Sequence, residues 1–330
     1  MKIVVLKGGS SSEREISLKS AEKIAQAYRR NGHEVIELDT VLPFSQIEED
    51  IEVTSDHLEK GSKNLVKLLQ HDMVEDCDFV FNALHGGIGE DGRVQALLDM
   101  MQLHYNGSGY ESSGISMDKV VSKLLFQQNQ VPTPDWLHFY LEQNSSLQAI
   151  VDEIKTKFDF PVIVKPSNEG STVGLHLVED SDSLAEAIQE SRQYGHNILV
   201  EEFIEGRELT VGYLNDKPLP VLEIKPKHKI YDYKCKYTKG MSSYQVPAKL
   251  EPALANRIQE LAMKAYQALK CRGYARIDLR LDNDATPYFL EMNTLPGMTD
   301  TSLVPKAAQA AGIEFDELLE KIMQAGMNYE

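Results

Sequence analysis

Two segments near the C-terminus alternate polar and apolar residues in a way that can build a metal site. In 274–281, Tyr274, Arg276, Asp278 and Arg280 fall on one face of an extended strand, and Ala275, Ile277, Leu279 and Leu281 on the other. In 288–293, Glu291 and Asn293 are expected to share a face with Phe289. If the two segments pair as a hairpin, Asp278, Glu291 and Asn293 converge with Arg276 beside them. Every donor is an oxygen, the ligand set of a hard ion such as Mg²⁺, which completes its shell with water and substrate phosphates. A solvated strand face with cross-strand ion pairs has the same alternation. Asn293 opens into Thr294-Leu295-Pro296-Gly297-Met298-Thr299, a tight turn whose backbone N–H groups suit an anion or oxyanion.

Three further segments carry chemistry. Lys165 ends an apolar stretch, and the small, polar loop 166–172 follows. Such a loop lets backbone N–H groups approach phosphate oxygens while the lysine supplies a point charge; a plain hairpin loop with a snorkelling lysine fits equally well. The acidic connection 201–208 reads alone as a solvated edge. Beside a phosphate loop and a metal cluster it reads as an adenine-and-ribose strip. The aromatic and basic run 231–237 is either a surface loop with half-buried rings or a lid that brings Lys236 and Tyr237 over a substrate. Gly87, Gly89 and Gly92 match a Gly-x-Gly-x-x-Gly fingerprint, but they follow the third expected strand and no ordinary second βαβ half comes after. They are read either as a sharp turn or, with His85 and Gly86, as a backbone and an imidazole at the rim of a site. No GxxxxGK[ST] run is present, which excludes a P-loop.

The elements that must position these groups follow from periodicity. Residues 3–6 form a short buried strand, 8–12 a glycine-serine loop, and Leu18, Ala21, Ala25 and Tyr28 recur at helical spacing before a second strand at 34–38. This βαβ opening predicts a parallel sheet with helices on its faces. Further strands are expected at 79–84 and 103–105, with a helix at 94–101 between them. Asn106-Gly107-Ser108-Gly109 marks a domain boundary. A helix over 117–128 follows, then strands at 136–140, 160–165, 173–178 and 198–203 that bracket helices at 146–157 and 182–194. That pattern predicts a small α+β domain. The last third carries strands at 208–214, 219–224, 274–281 and 288–293, a long helix near 253–270 and two closing helices. The expected domains are 1–107, 108–201 and 202–330.

The chain has 330 residues, 34 Lys and Arg against 51 Asp and Glu, and a formal net charge of −17. That balance opposes general attraction to nucleic acid or an anionic membrane, and leaves room for an anionic ligand at a local cationic cluster. The three cysteines form no CxxC pair, so neither a zinc site nor a disulfide framework is expected. They suit a reducing cytoplasm. No stretch reaches the length that crosses a bilayer.

Taken together, the motifs resemble those of the D-alanine–D-alanine ligases of the ATP-grasp superfamily, from end to end. The resemblance is carried by Gly8-Gly9 with Glu13-Arg14-Glu15, Leu84-His85-Gly86, Gly89-Glu90-Asp91-Gly92 and Ser116-Met117-Asp118-Lys119. It continues through Val164-Lys165-Pro166, Glu169-Gly170-Ser171, Tyr231-Asp232-Tyr233 with Lys236-Tyr237, Arg276-Ile277-Asp278, and Glu291-Met292-Asn293-Thr294 with Pro296-Gly297-Met298-Thr299. It implies an α/β protein, an ATP-grasp fold preceded by an N-terminal Rossmann-like parallel-sheet domain.

By the same resemblance, ATP is a substrate, held with two Mg²⁺ (or Mn²⁺) ions. Lys119 and Lys165 would hold phosphates, Glu201 and Glu208 would contact adenine and ribose with Glu202, Ile204 and Lys236 nearby, and Asp278, Glu291 and Asn293 would ligate the metals. Glu13, assisted by Ser171 and Tyr237, would hold the ammonium of a first D-alanine, with His85 at the substrate rim. Arg276 and the Gly297 N–H would form an oxyanion hole, and Lys236, Ser302 and Leu303 would receive the second D-alanine. Lys234 and Thr301 depart from the family pattern, where a glutamate and sometimes a histidine sit. The expected product is D-alanyl-D-alanine for peptidoglycan synthesis. The expected assembly is a homodimer, with no nucleic-acid or membrane partner. Ligation to D-lactate or D-serine, nucleotide binding without turnover, and a carboxylase of the same superfamily are the alternatives.

Overall fold

In a computed structural model, residues 1–46, 51–142, 144–238 and 240–329 are described, except for the side chain of Tyr237. The first sheet has the parallel order β2-β1-β3, from β1 (Lys2–Lys7), β2 (Glu34–Asp39) and β3 (Phe79–Asn82). β1 is apolar at Ile3, Val4, Val5 and Leu6, all fully buried, as a central parallel strand covered on both faces must be. One face packs on α1 (Arg14–Arg30), and the other lies against α2 (Ser55–Leu69) and α4 (Arg93–Met100), with the one-turn α3 (Asp72–Glu75) leading into β3. The strand expected at 103–105 is reduced to a single bridge between Tyr105 and Val80.

The helix expected over 117–128 is α6 (Lys119–Gln128), and a helix not expected, α5 (Tyr110–Met117), precedes it, the two divided at Asp118. Asp118 is extended, and its carboxylate accepts from the N–H groups of Val120 and Val121, so it starts a new helix and cannot continue the old one.

The second sheet is antiparallel, in the order β4-β7-β5-β6: β4 (Trp136–Tyr140), β5 (Val162–Pro166), β6 (His176–Val178) and β7 (Asn197–Glu202). Helices α7 (Leu147–Lys157) and α8 (Leu184–Arg192) cover one face through Val151, Ile154, Leu184 and Ile188. β6 begins later than the expected strand at 173–178. Ser171 and Thr172 have φ of 47° and 61°, and Gly174 has 66°, so the chain before His176 is turned rather than extended.

The third sheet runs β11-β10-β8-β12-β13, with β9 (Lys217–Pro218) beside β8 (Arg207–Leu214). Its other strands are β10 (Leu222–Pro226), β11 (Ser242–Gln245), β12 (Tyr274–Leu281) and β13 (Pro287–Asn293). The short α9 (Tyr233–Tyr237) lies between β10 and β11, and α10 (Pro252–Ala268) packs Ile258, Ala262 and Ala265 beneath the sheet. The closing helices α11 (Leu303–Ala310) and α12 (Phe315–Met327) share one apolar cluster with the first sheet, so the C-terminus returns to the N-terminal layer. Tyr28 of α1 seals that contact, donating to the Leu319 carbonyl at 3.0 Å.

Phe289 does not share the face of Glu291 and Asn293. Asp278 pairs with Glu291 but Leu279 pairs with Phe289, so Leu290 is an extra residue in a β-bulge. The bulge breaks the two-residue alternation. Phe289 turns down into the apolar layer with Leu279, while Leu290 and Glu291 both reach the cleft.

Candidate active site

The three sheets meet around two adjoining cavities of about 990 and 690 Å³ of open space, which share Tyr231, Lys236 and Glu291 in their walls. The hairpin of β12 and β13 forms the common floor. Asp278 faces Glu291 and Arg276 faces Asn293 as register partners. Arg276 grips the Asp278 carboxylate with two hydrogen bonds of 2.8 Å, and Thr210 from β8 donates to it at 2.7 Å. Burial alone would raise the Glu291 carboxyl, but Lys119, Lys236, Lys165 and Arg276 outweigh it and hold the group at about 2. Glu291 is therefore a permanent anion amid cations. Asn293 turns its side-chain oxygen to the Leu295 N–H at 3.0 Å, starting the turn that carries Gly297.

The start of α6 brings Lys119 to Glu291, whose carboxylate also feels Lys165. Asp118 accepts from Ser167 Oγ at 2.9 Å, and the Lys119 N–H donates to the Ser167 carbonyl at 3.2 Å, which stitches the helix to the loop after β5. The Lys119 ammonium then lies 3.3 Å from Glu291 and donates to the Glu169 carbonyl at 2.6 Å. Lys165 points into the second cavity and is held by Glu201.

The acidic connection is organised by Arg280. Its guanidinium donates to the carbonyls of Ile204 and Gly206, at 2.5 and 3.0 Å, and to Glu208 at 3.0 Å, and stacks 4.9 Å from the Phe203 ring. Gly206 has φ of 142°, and a Cβ there would lie 2.0 Å from the Leu281 carbonyl, so only glycine lets the connection pass so close to β12. Burial pushes Glu208 up to about 7 although Arg280 pulls it down. Glu202 lines the same cavity and is exposed. Glu201, expected to contact adenine, lines the second cavity, and its buried carboxylate is engaged by Lys165 and, at 2.9 Å, by Lys123.

Glu13 stands across the first cavity, at the start of α1. Its side chain makes no capping hydrogen bond to that helix. It accepts from Ser171 Oγ of the loop after β5. Gly86 passes so close that a Cβ there would lie 2.7 Å from Glu13 Oε2. His85 is buried between Glu90 at 3.3 Å and Ser20 at 3.2 Å, and Ser20 Oγ accepts from the Met298 N–H at 3.3 Å. This chain fixes the Gly297 turn against α1. Ser302 accepts from the Thr299 N–H at 2.9 Å, and Leu303 opens α11 with its side chain buried. Lys236 stands 5.6 Å over the Tyr231 ring, in the wall common to both cavities. The side chain of Tyr237, expected beside Ser171, lies outside the described residues.

Lys123, Arg280 and Glu90 were not among the residues expected to build the site. Lys123 had a signal: it lies four residues after Lys119, so both fall on one face of α6. Arg280 shares a strand face with Arg276 and Asp278. Glu90 had none beyond its motif.

Two antiparallel sheets that face each other across a lysine-lined cleft, with paired acids on its floor, place the chain in the ATP-grasp class. Family models described as "D-ala D-ala ligase N-terminus" and "D-ala D-ala ligase C-terminus" match residues 2–108 and 125–324. The chain belongs to the D-alanine–D-alanine ligase family. It is 40% identical to the D-alanine–D-alanine ligase of Carboxydothermus hydrogenoformans over 333 residues, 99% of this chain and 98% of that one. With the Aquifex aeolicus enzyme of the same name the identity is 41%, over 98% of this chain and 100% of that one. Among solved structures, the D-alanine–D-alanine ligase of Bacillus anthracis complexed with ATP superposes with a TM-score of 0.78 at 31% identity, covering 99% of this chain and 97% of that one. The VanG D-Ala:D-Ser ligase of Enterococcus faecalis does so at 0.80 and 27%, covering 98% and 99%.

Proposed function

We infer that this protein joins two D-alanines to D-alanyl-D-alanine at the expense of ATP, through a D-alanyl phosphate, as a step of peptidoglycan precursor synthesis. The observation that carries the reading is the arrangement around the β12–β13 hairpin: Asp278 opposite Glu291 on the cleft floor, with Lys119 on the wall. Membership of the ligase family supports it.

The second cavity takes the nucleotide, with adenine and ribose along 201–208 and the phosphates reaching Lys119, Lys165 and Lys236. The donors Asp278, Glu291 and Asn293 are all oxygens, and the low Glu291 carboxyl keeps a ligand charge at any working pH, so the set fits Mg²⁺ or Mn²⁺. Such ions, when bound there, neutralise phosphate charge and stabilise the transferred phosphoryl group. Glu13, oriented by Ser171, pairs with the ammonium of the first D-alanine and directs its carboxylate toward the phosphates. Attack gives an acyl phosphate and ADP. Tyr231, Lys236 and the loop around them exclude water, which would hydrolyse that intermediate. The amine of the second D-alanine, seated by Lys236, Ser302 and Leu303, then adds to the acyl carbon. Arg276 and the Gly297 N–H receive the oxyanion before phosphate departs.

The division into 1–107, 108–201 and 202–330, a homodimeric assembly, two metal ions and a cytoplasmic location belong to the same proposal. Among the described residues no helix is long and apolar enough to cross a membrane. The experiment is phosphate release from ATP with a panel of D- and L-amino acids and D-lactate, with products identified by mass spectrometry. D-alanine alone should support turnover and yield the dipeptide. Turnover that requires D-serine or D-lactate as second substrate would overturn the assignment.

A further inference from the structure

Lys123 lies behind the cleft wall with its side chain fully buried. Its ammonium donates to Thr133 Oγ1 at 2.6 Å and to the Pro134 carbonyl at 3.2 Å, and sits 2.9 Å from Glu201 Oε2. The other Glu201 oxygen takes the Lys165 ammonium. Two cations thus share one buried carboxylate, and the cluster keeps one net positive charge. Only Lys165 of the two lines the nucleotide cavity.

A carboxylate facing a single ammonium cancels most of its field. When a second cation holds it from behind, less of its charge is available to the first. We propose that Lys123 is a positioning residue for the nucleotide: by engaging Glu201 from inside the protein, it leaves the positive charge of Lys165 directed at the phosphates. This rests on the reading of the cleft as an ATP site.

The arrangement also has a pH signature. Burial drives the Lys123 ammonium down to about 8, against the upward pull of Glu201. The other charged groups facing it are Lys165 on β5 and Asp135 just before β4. Its charge is present at neutral pH and lost as pH rises.

The test compares ATP and adenosine binding, without magnesium, in the unmodified protein and in Lys123→Met. ATP affinity should fall about tenfold or more, the scale of losing a charge-assisted contact, while adenosine affinity changes by less than about threefold. In a Glu201→Gln background, where no carboxylate remains to be shared, adding Lys123→Met should cost ATP less than about threefold. Equal losses for ATP and adenosine, unchanged ATP affinity, or a full additional loss in the Glu201→Gln background would each overturn the proposal, because a merely structural lysine gives those results. If Lys123→Met does not fold, the unmodified protein decides. Its ATP affinity relative to adenosine should drop as Lys123, at about 8, titrates, and a flat ratio across that range would overturn the proposal. An unmodified protein that binds no ATP at all would instead remove the nucleotide reading on which this one stands.

Discussion

Ser171 Oγ donates a hydrogen bond to Glu13, so the loop after β5 is fastened to the first turn of α1 across 158 residues of sequence. Both residues line the first cavity, so the bond joins the acid proposed to hold the first substrate to the loop proposed to lie beside the phosphates. In the proposed reaction, one connected piece of backbone, from Lys165 to Ser171, serves both the first amino acid and the nucleotide.

Glu13 tests this directly. Its side chain does not cap α1, so its removal should leave helix stability nearly intact. Glu13→Gln is expected to weaken the first D-alanine by about tenfold or more, the scale of losing a charged hydrogen bond, with a small change in melting temperature. Isothermal calorimetry and thermal denaturation check both. A large loss of Tm with intact affinity would return Glu13 to a structural role.

The acid pair on the hairpin gives the second expectation. Asp278→Asn and Glu291→Gln should each lower turnover by about a hundredfold or more, the scale of removing a key electrostatic group. Circular dichroism should remain native. The measurement is phosphate release across a magnesium titration. Near-normal activity at low magnesium in either variant would mark the pair as structural.

Lys119 and Lys165 predict a separation of nucleotide from amino-acid binding. Lys165→Ala should raise the KM for ATP or abolish turnover, and Lys119→Ala should do the same while also loosening the loop it ties through Glu169. D-alanine binding at the first site should change little. Steady-state kinetics with ATP varied, together with D-alanine calorimetry, checks this. A normal ATP dependence in both variants would remove the phosphate assignment.

Glu208 gives a pH dependence. Burial raises its carboxyl from 4.5 to about 7, so the folded protein keeps a proton that the unfolded chain releases over that interval. Its contribution to stability accordingly falls as pH rises from 4.5 to about 7. A ribose hydroxyl donates best to the ionised form. Adenosine affinity, measured without magnesium, is expected to rise with pH through about 7 and to become flat in Glu208→Gln. An unmodified protein with a flat profile would exclude Glu208 as the ribose acceptor.

Much of the site was legible because strand parity and motif spacing are local. The facing of Asp278 and Glu291 follows from two alternating segments that pair as a hairpin, and the structure has that pairing. What was not legible depends on contacts between elements. Parity carries Phe289 to the wrong face because nothing in 287–293 announces an unpaired residue at Leu290. Lys123 was missed because it lies on a distant helix, and spacing alone does not bring it to Glu201 on β7. The strand expected at 173–178 was cut short by the turn that starts at Ser171 and Thr172 and runs through Gly174, left-handed at all three, of which only the glycine advertises it.

The bulge at Leu290 also makes β13 sensitive to where its length changes. Most strand-end loops absorb a missing residue, because the sheet beyond them keeps its frame. Here the frame itself changes at Leu290, and the residues beyond are read from the opposite side. Deleting Leu290 would restore an unbroken ladder, with Phe289 directly adjoining Glu291. Adjacent strand residues face opposite sides, so Phe289 would stay in the apolar layer and Glu291 on the cleft, whereas deleting Met292 would put Glu291 and Asn293 on opposite faces. The cleft's chemistry is thus written partly in the number of residues in β13 and not only in their identity.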